Sequence, residues 1–165
     1  MKVALCVSGH LRTYDKTFKN QLDKLIELND CDIFVYTSDL NTVKNPDYLE
    51  ERYIIKKVNK PVAKKRLNQL YGDRLKALVI EEEDQSDWPS PDSHSWSWAK
   101  FSQYRRNFKC NELYKEWAKS NNVEYDIVIK SRFDLFFKLK INIKNIIETG
   151  GFAEKYGETF NEQSE

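Results

Sequence analysis

The sequence predicts an α/β domain built on an open, mostly parallel sheet flanked by helices. Three observations carry that prediction. Residues 3–7 and 31–37 are apolar runs closed by turn or polar residues, the pattern of strands buried on both faces. Between them, residues 14–28 repeat their apolar side chains at helical spacing. Two later runs, at 75–80 and 125–129, alternate with stretches of helical composition, so strand and helix take turns along the chain.

Taken in order, residues 3–7 form the first strand, ended by Ser8-Gly9. The helix that follows carries Tyr14, Phe18, Leu22, Leu25 and Ile26 in one stripe, with Thr13 as its N-cap and Asn29-Asp30 as its break. The run at 31–37, rich in Ile33, Phe34, Val35 and Tyr36, completes a βαβ unit, which favours a parallel pair with a right-handed crossover. Residues 41–47 read as a loop, 53–58 as a short strand, and 64–71 as a short helix ended by Gly72. The acidic, serine-rich segment 81–95, with Pro89 and Pro91, reads as an exposed loop. Residues 96–120 have the composition of a long helix. Its apolar face switches sides, from Phe101, Tyr104 and Phe108 to Cys110, Leu113, Tyr114 and Trp117. Such a helix is packed against two layers or broken near Lys109. Residues 141–147 continue the fold, so 1–147 is expected to be one domain and 148–165 a polar, frayed tail.

Composition bounds the function. The 165 residues suffice for one core, and 13% aromatic content argues against disorder. A net charge of +1 gives no field to draw in nucleic acid or an anionic membrane. No run approaches the ~18 apolar residues of a membrane span. Cys6, Cys31 and Cys110 are widely spaced, with no CxxC pair and only His10 and His94 as imidazoles, so the spacing argues against a structural zinc site. Cys6 and Cys31 fall in apolar runs, as small buried hydrophobes of a reducing, cytoplasmic compartment do.

In open α/β sheets ligands bind beyond the carboxyl ends of the strands, which directs attention to two strand-end motifs. The first is Ser8-Gly9-His10-Leu11-Arg12-Thr13. Gly9 permits a sharp turn or a close approach, the helix N-terminus suits a phosphate, and Arg12 offers a planar fork of donors. It is neither GxGxxG nor a Walker A loop. The same spacing also fits a plain strand-to-helix turn with Arg12 solvated. The second motif is Lys130-Ser131-Arg132-Phe133-Asp134. Strand alternation puts Arg132 and Asp134 on one side, where a ligand or mutual pairing must offset their burial. One carboxylate plus substrate phosphates is a usual way to hold Mg²⁺. An Arg132–Asp134 ion pair at a sheet edge is the other reading.

Three blocks, VALCVSGHLRTYDKTFKN, DIFVYTSD and YDIVIKSRFDLFF, resemble a group of GT-A-type glycosyltransferase-like proteins of bacterial surface-polysaccharide loci and large DNA viruses. The pattern of that group is an SGxLRT turn, a DIFIHTW strand and a YDxVIRxRxDL strand with a DxD-like element. The resemblance spans about residues 3–137 in order. It implies a Rossmann-like GT-A fold that binds a nucleoside-diphosphate sugar, a UDP-sugar by preference, with Mn²⁺ or Mg²⁺. It further implies transfer of the glycosyl group to a hydroxyl of a glycan or polysaccharide acceptor. By position, Ser8, Gly9, His10 and Arg12 would contact the nucleotide, with Thr37 and Asp39 at its base or ribose. Asp134 would be the metal-directed acid, and Arg132 stands where an ordinary DxD has its first Asp. Members of the group run well past the third block, so a shortened acceptor half is expected here; the alternatives are a nucleotide-sugar-binding module without catalysis and a structural α/β domain of a larger assembly. Asp84, Asp87 and Asp92 are the candidates for a catalytic base, and Trp88, Trp96 and Trp98 for stacking on a sugar or base. Gln103, Arg105 and Arg106 face the site if the resemblance holds and solvent if it does not.

Overall fold

The structure, a computed structural model, describes residues 1–44, 53–83 and 96–149. Four parallel strands form the main sheet: β1 (Val3–Ser8), β2 (Cys31–Ser38), β5 (Leu75–Glu81) and β6 (Ile127–Arg132). They lie in the order β5-β2-β1-β6. A separate antiparallel hairpin joins β3 (Leu40–Lys44) to β4 (Tyr53–Lys57). The expected loop at 41–47 is therefore a strand through Lys44, with 45–47 outside the described residues. Leu40, Thr42 and Val43 have strand propensity, and a paired ladder with β4 realises it.

All six residues of β1 are buried, because β1 is central and covered on both faces. Val3, Leu5 and Val7 face one layer, with Leu25, Ile26, Leu67 and Ile143. Ala4 and Cys6 face the other, with Phe34 and Cys110. Phe34 is the centre of that second layer, with ring centroids 5.6 Å from Trp117 and 5.8 Å from Tyr125. The cysteines Cys6, Cys31 and Cys110 are free and buried.

The crossover from β1 to β2 is helical throughout but changes pitch. A 3-10 turn (Leu11–Thr13) leads into α1 (Tyr14–Gln21), then a π turn (Leu22–Ile26) and a second 3-10 turn (Glu27–Asn29). The wide turn seats the adjacent residues Leu25 and Ile26 in the core together. Asp30, at φ 47°, ends the path in the left-handed region that Asp tolerates. Thr13 stands at the N-cap position of α1 as expected, but its side chain makes no capping bond, because the chain is already turning at Leu11.

Helix α2 (Lys60–Tyr71) starts four residues earlier than its apolar pattern indicates. Asn59 caps it, accepting from the Val62 amide at 3.1 Å, and Pro61 occupies the first turn. Helix α3 (Trp96–Ser120) is unbroken and lies on β1 and β2 through its Cys110 face. Phe101, Tyr104 and Phe108 remain exposed, so the face switch is neither a break nor a second packed layer. Strand β6 begins at Ile127 rather than 125, since Tyr125 is used to pack on Phe34 and to donate to Asp32 at 2.7 Å. Helix α4 (Ile143–Glu148) closes the described chain, and residues 150–165 of the expected tail lie outside it. Asn29 stitches α4 to the crossover, donating to the Ile141 carbonyl at 2.7 Å and accepting from the Ile143 amide at 2.8 Å. Among the described residues no helix is long and apolar enough to cross a membrane.

Candidate functional site

From β1 the parallel strands proceed to β2 and β5 on one side, and then cross to β6 on the other. The carboxyl ends of β1 and β6 therefore flank the point where strand order reverses, where open α/β sheets form a crevice. Ser8 and Arg132 stand opposite each other in the β1–β6 register. The two strand-end motifs, more than a hundred residues apart in sequence, are neighbours.

The β1 side is built from short polar contacts. The Ser8 hydroxyl donates to the Asn107 side-chain oxygen on α3. Gly9 follows at φ 125°, a conformation L residues rarely adopt, and its carbonyl accepts from the Thr37 hydroxyl at 2.6 Å. No atom lies within 4 Å of where a Gly9 Cβ would sit, so the turn is open in front. His10 Nδ1 lies 2.7 Å from the Leu40 carbonyl, which can only accept. That nitrogen therefore carries the proton and leaves Nε2 to accept from Arg106 Nη1, 3.5 Å away. Arg12 occupies the 3-10 turn; its side chain lies outside what is described.

On the β6 side, Arg132 Nε donates to Asp134 Oδ1 at 2.8 Å and Nη2 to Oδ2 at 2.6 Å. This is the ion pair that spacing left open, in bidentate form. The side chains are 40% and 21% exposed. Beneath them the turn is clamped by α1. Gln21 Nε2 donates to the carbonyls of Arg132, Phe133 and Leu135 at 3.0, 3.2 and 2.9 Å, and the Thr17 hydroxyl donates to that of Phe133. The Ser131 hydroxyl is buried with no hydrogen-bond partner among the described residues.

Thr37 and Asp39, expected at a base or ribose, are buried. Thr37 is spent on Gly9, and Asp39 accepts from the Glu83 amide at 3.0 Å, with Lys57 Nζ at 3.9 Å. Thr37 thus ties the end of β2 to the turn after β1, and Asp39 ties it to the segment after β5.

Sequence reasoning named Arg106 but missed the buried group it forms with Glu83, Ser38 and Ser102. Arg106, left between the site and solvent by its sequence, has a side chain only 2% exposed. It pairs with Glu83 and donates to the Ser38 hydroxyl at 3.1 Å, while Ser102 donates to Glu83 at 3.1 Å. Burial pushes the Glu83 carboxyl up, but the Ser38 hydroxyl, the Arg106 guanidinium and the Ser102 hydroxyl outweigh it and hold it below the usual carboxylate range. The available signal was the four-residue step Ser102, Arg106, Cys110, which puts Arg106 on the face of a buried cysteine. Arg105 is partly exposed and pairs with Glu81 at 3.0 Å; Gln103 is half-buried. Asp84, Asp87, Asp92 and Trp88 lie outside the described residues, as do the side chains of Trp96 and Trp98.

The described residues do not assemble a ready Mn²⁺ or Mg²⁺ site. No three His, Cys, Asp or Glu side chains among them converge, and both oxygens of Asp134 are engaged by the Arg132 fork. A cavity of about 260 Å³ beside β6, lined by Leu25, Ile127, Ile129, Phe137, Ile141 and Ile146, is apolar and unsuited to a diphosphate. What the crevice offers is a half-exposed guanidinium beside an open glycine turn. That combination can receive a phosphate-bearing ligand. Comparison of the chain with family models, with curated proteins and with solved structures finds no match.

Proposed function

We propose that this chain binds a nucleoside-diphosphate sugar, a UDP-sugar by preference, in the crevice between β1 and β6. On this reading it transfers the glycosyl group to a hydroxyl of a glycan or polysaccharide acceptor, on a Rossmann-like sheet of GT-A type. One observation carries the reading: Ser8 and Arg132 are register partners at the strand-order reversal. The resemblance of the three sequence blocks supplies the substrate class.

The leaving group is a nucleoside diphosphate, so the chemistry needs positive charge where negative charge develops on its bridging oxygen. On this reading Arg132 meets that need at the β6 end, and Arg12, four residues after Ser8 in the turn that follows β1, is the second cation. The Gly9 turn lets backbone approach the diphosphate closely. Ser8, Thr37 and Gln21 act through others: they hold the two strand ends in place so that the guanidinium and the turn face one ligand.

Binding and transfer are separable by experiment. Saturating UDP at a hundred times its dissociation constant should stabilise the fold by about 2.7 kcal/mol. A melting temperature that no nucleoside diphosphate shifts would remove the proposal. Release of UDP from a UDP-sugar marks an enzyme, and stabilisation without release marks a binding module. Arg12→Ala should weaken UDP binding by about tenfold, the loss expected for a hydrogen bond to a charged group. An unchanged affinity returns Arg12 to solvent.

A further inference from the structure

The Arg132–Asp134 pair has the form of an occupied anion site. We infer that Asp134 is an internal stand-in for the diphosphate: it fills the Arg132 fork until the nucleotide displaces it, and the diphosphate is then held by Arg132 without a resident divalent ion. This rests on the proposed nucleotide reading and adds how the site holds its ligand.

Four observations lead there. First, the contact is two parallel N–H···O bonds, at 2.8 and 2.6 Å, the arrangement a guanidinium makes with a phosphate as readily as with a carboxylate. Second, the pair can exchange partners. Arg132 is 40% exposed and Asp134 21%, so a ligand from solvent reaches the fork, whereas Arg106 with its Glu83 is shut away at 2%. Third, the exchange is one of side chains, because Gln21 and Thr17 fix the carbonyls of Arg132, Phe133 and Leu135 in the turn. Fourth, the charge count favours an anion over a cation. Arg132 and Asp134 sum to zero where two aspartates would sum to minus two, and a divalent ion nearing Asp134 meets the guanidinium as well. A diphosphate brings more negative charge to the same fork than one carboxylate does.

The two roles for Asp134 predict opposite signs. A metal ligand makes Asp134→Asn lose binding, whereas a displaced stand-in makes it gain. The experiment is isothermal titration of the full chain with UDP at low salt, once with EDTA and once with Mn²⁺. The dissociation constant of the wild type should agree within about twofold between the two buffers, since no ion is part of the site. Asp134→Asn should tighten binding in EDTA, and Arg132→Gln should weaken it, each by about tenfold. Circular dichroism checks that both variants are folded. UDP binding that requires Mn²⁺ overturns the inference on the wild type alone and leaves the nucleotide reading standing. An Asp134→Asn variant that binds no tighter than wild type in EDTA overturns it as well. If neither wild type nor Asp134→Asn binds UDP in either buffer, the nucleotide reading itself fails.

Discussion

Arg106 and Glu83 show at the residue scale how much a single buried pair asks of its surroundings. Both side chains are almost fully enclosed, and removing one partner from such a pair leaves an uncompensated buried charge. Glu83→Gln should therefore cost about 3 kcal/mol at neutral pH. The pH dependence follows in sign. The Glu83 carboxyl is held below its ordinary 4.5, so the unfolded chain takes up the proton first as pH falls. The stability it contributes is complete above that ordinary value and is lost as pH drops through the lower folded one. Urea unfolding at neutral and acid pH should show a shallower acid decline for Glu83→Gln than for wild type; equal slopes would contradict it. Gly9 makes a different residue-scale case. Its φ of 125° is the obstacle to a side chain, since a Cβ there would touch nothing. Gly9→Ala should cost about 1–3 kcal/mol in unfolding free energy, and Gly9→Ser about the same. A much larger penalty for serine would mean that the space is not open.

At the element scale α3 is the informative case. Its buried line runs through Ser102, Arg106, Cys110, Tyr114 and Trp117, polar where it lies over the strand ends and apolar where it lies over the sheet. The exposed line of Phe101, Tyr104 and Phe108 adds little to the fold. Replacing any one of those three by Gln should change stability by less than about 0.5 kcal/mol. Cys110→Leu should cost about 1–3 kcal/mol, because its sulfur already lies 3.4 Å from the Phe34 carbonyl. Denaturant midpoints of the four variants check the contrast. The apolar pattern marked both halves of this helix; the half with Cys110, Tyr114 and Trp117 is packed, but Phe101, Tyr104 and Phe108 in the other half are not, because the pattern counts only hydrophobic side chains. Here Ser102 and Arg106 are the buried ones, and their burial is offset by Glu83 and Ser38 rather than by greasiness.

For the molecule as a whole, the sheet has a centre and two open sides. β1 and β2 are paired on both edges, while β5 and β6 have no further strand beyond them among the described residues. Amide exchange should accordingly be slowest in β1 and β2 and faster along β5 and β6, with the carboxyl ends slowed further when UDP is present. Uniform protection across the four strands would argue against that ranking. The order β5-β2-β1-β6 also decides which strand ends become neighbours, and so where a ligand crevice can form.

The strands and the main helices were legible in the sequence because they are local. An apolar run closed by Ser8-Gly9, or a stripe at helical spacing from Tyr14 to Ile26, is written in adjacent residues and needs no partner to be read. The parallel β1–β2 pair followed from the length of the crossover. Boundaries were less legible where a cap or a pairing strand decides them, as Asn59 does for α2 and β4 does for β3. The site divides in the same way. Sequence by itself determined that Gly9, Arg12, Arg132 and Asp134 stand at strand ends. Only the tertiary structure decided that Ser8 faces Arg132, that Arg132 grips Asp134 with both arms, and that Arg106 is buried on Glu83. The first depends on strand register and the other two on partners distant in sequence: Gln21 and Thr17 of α1 hold the turn in which Arg132 meets Asp134, and Glu83 meets Arg106. Local periodicity carries no record of either, because the free energy that fixes them comes from contacts that exist only once the chain has closed on itself.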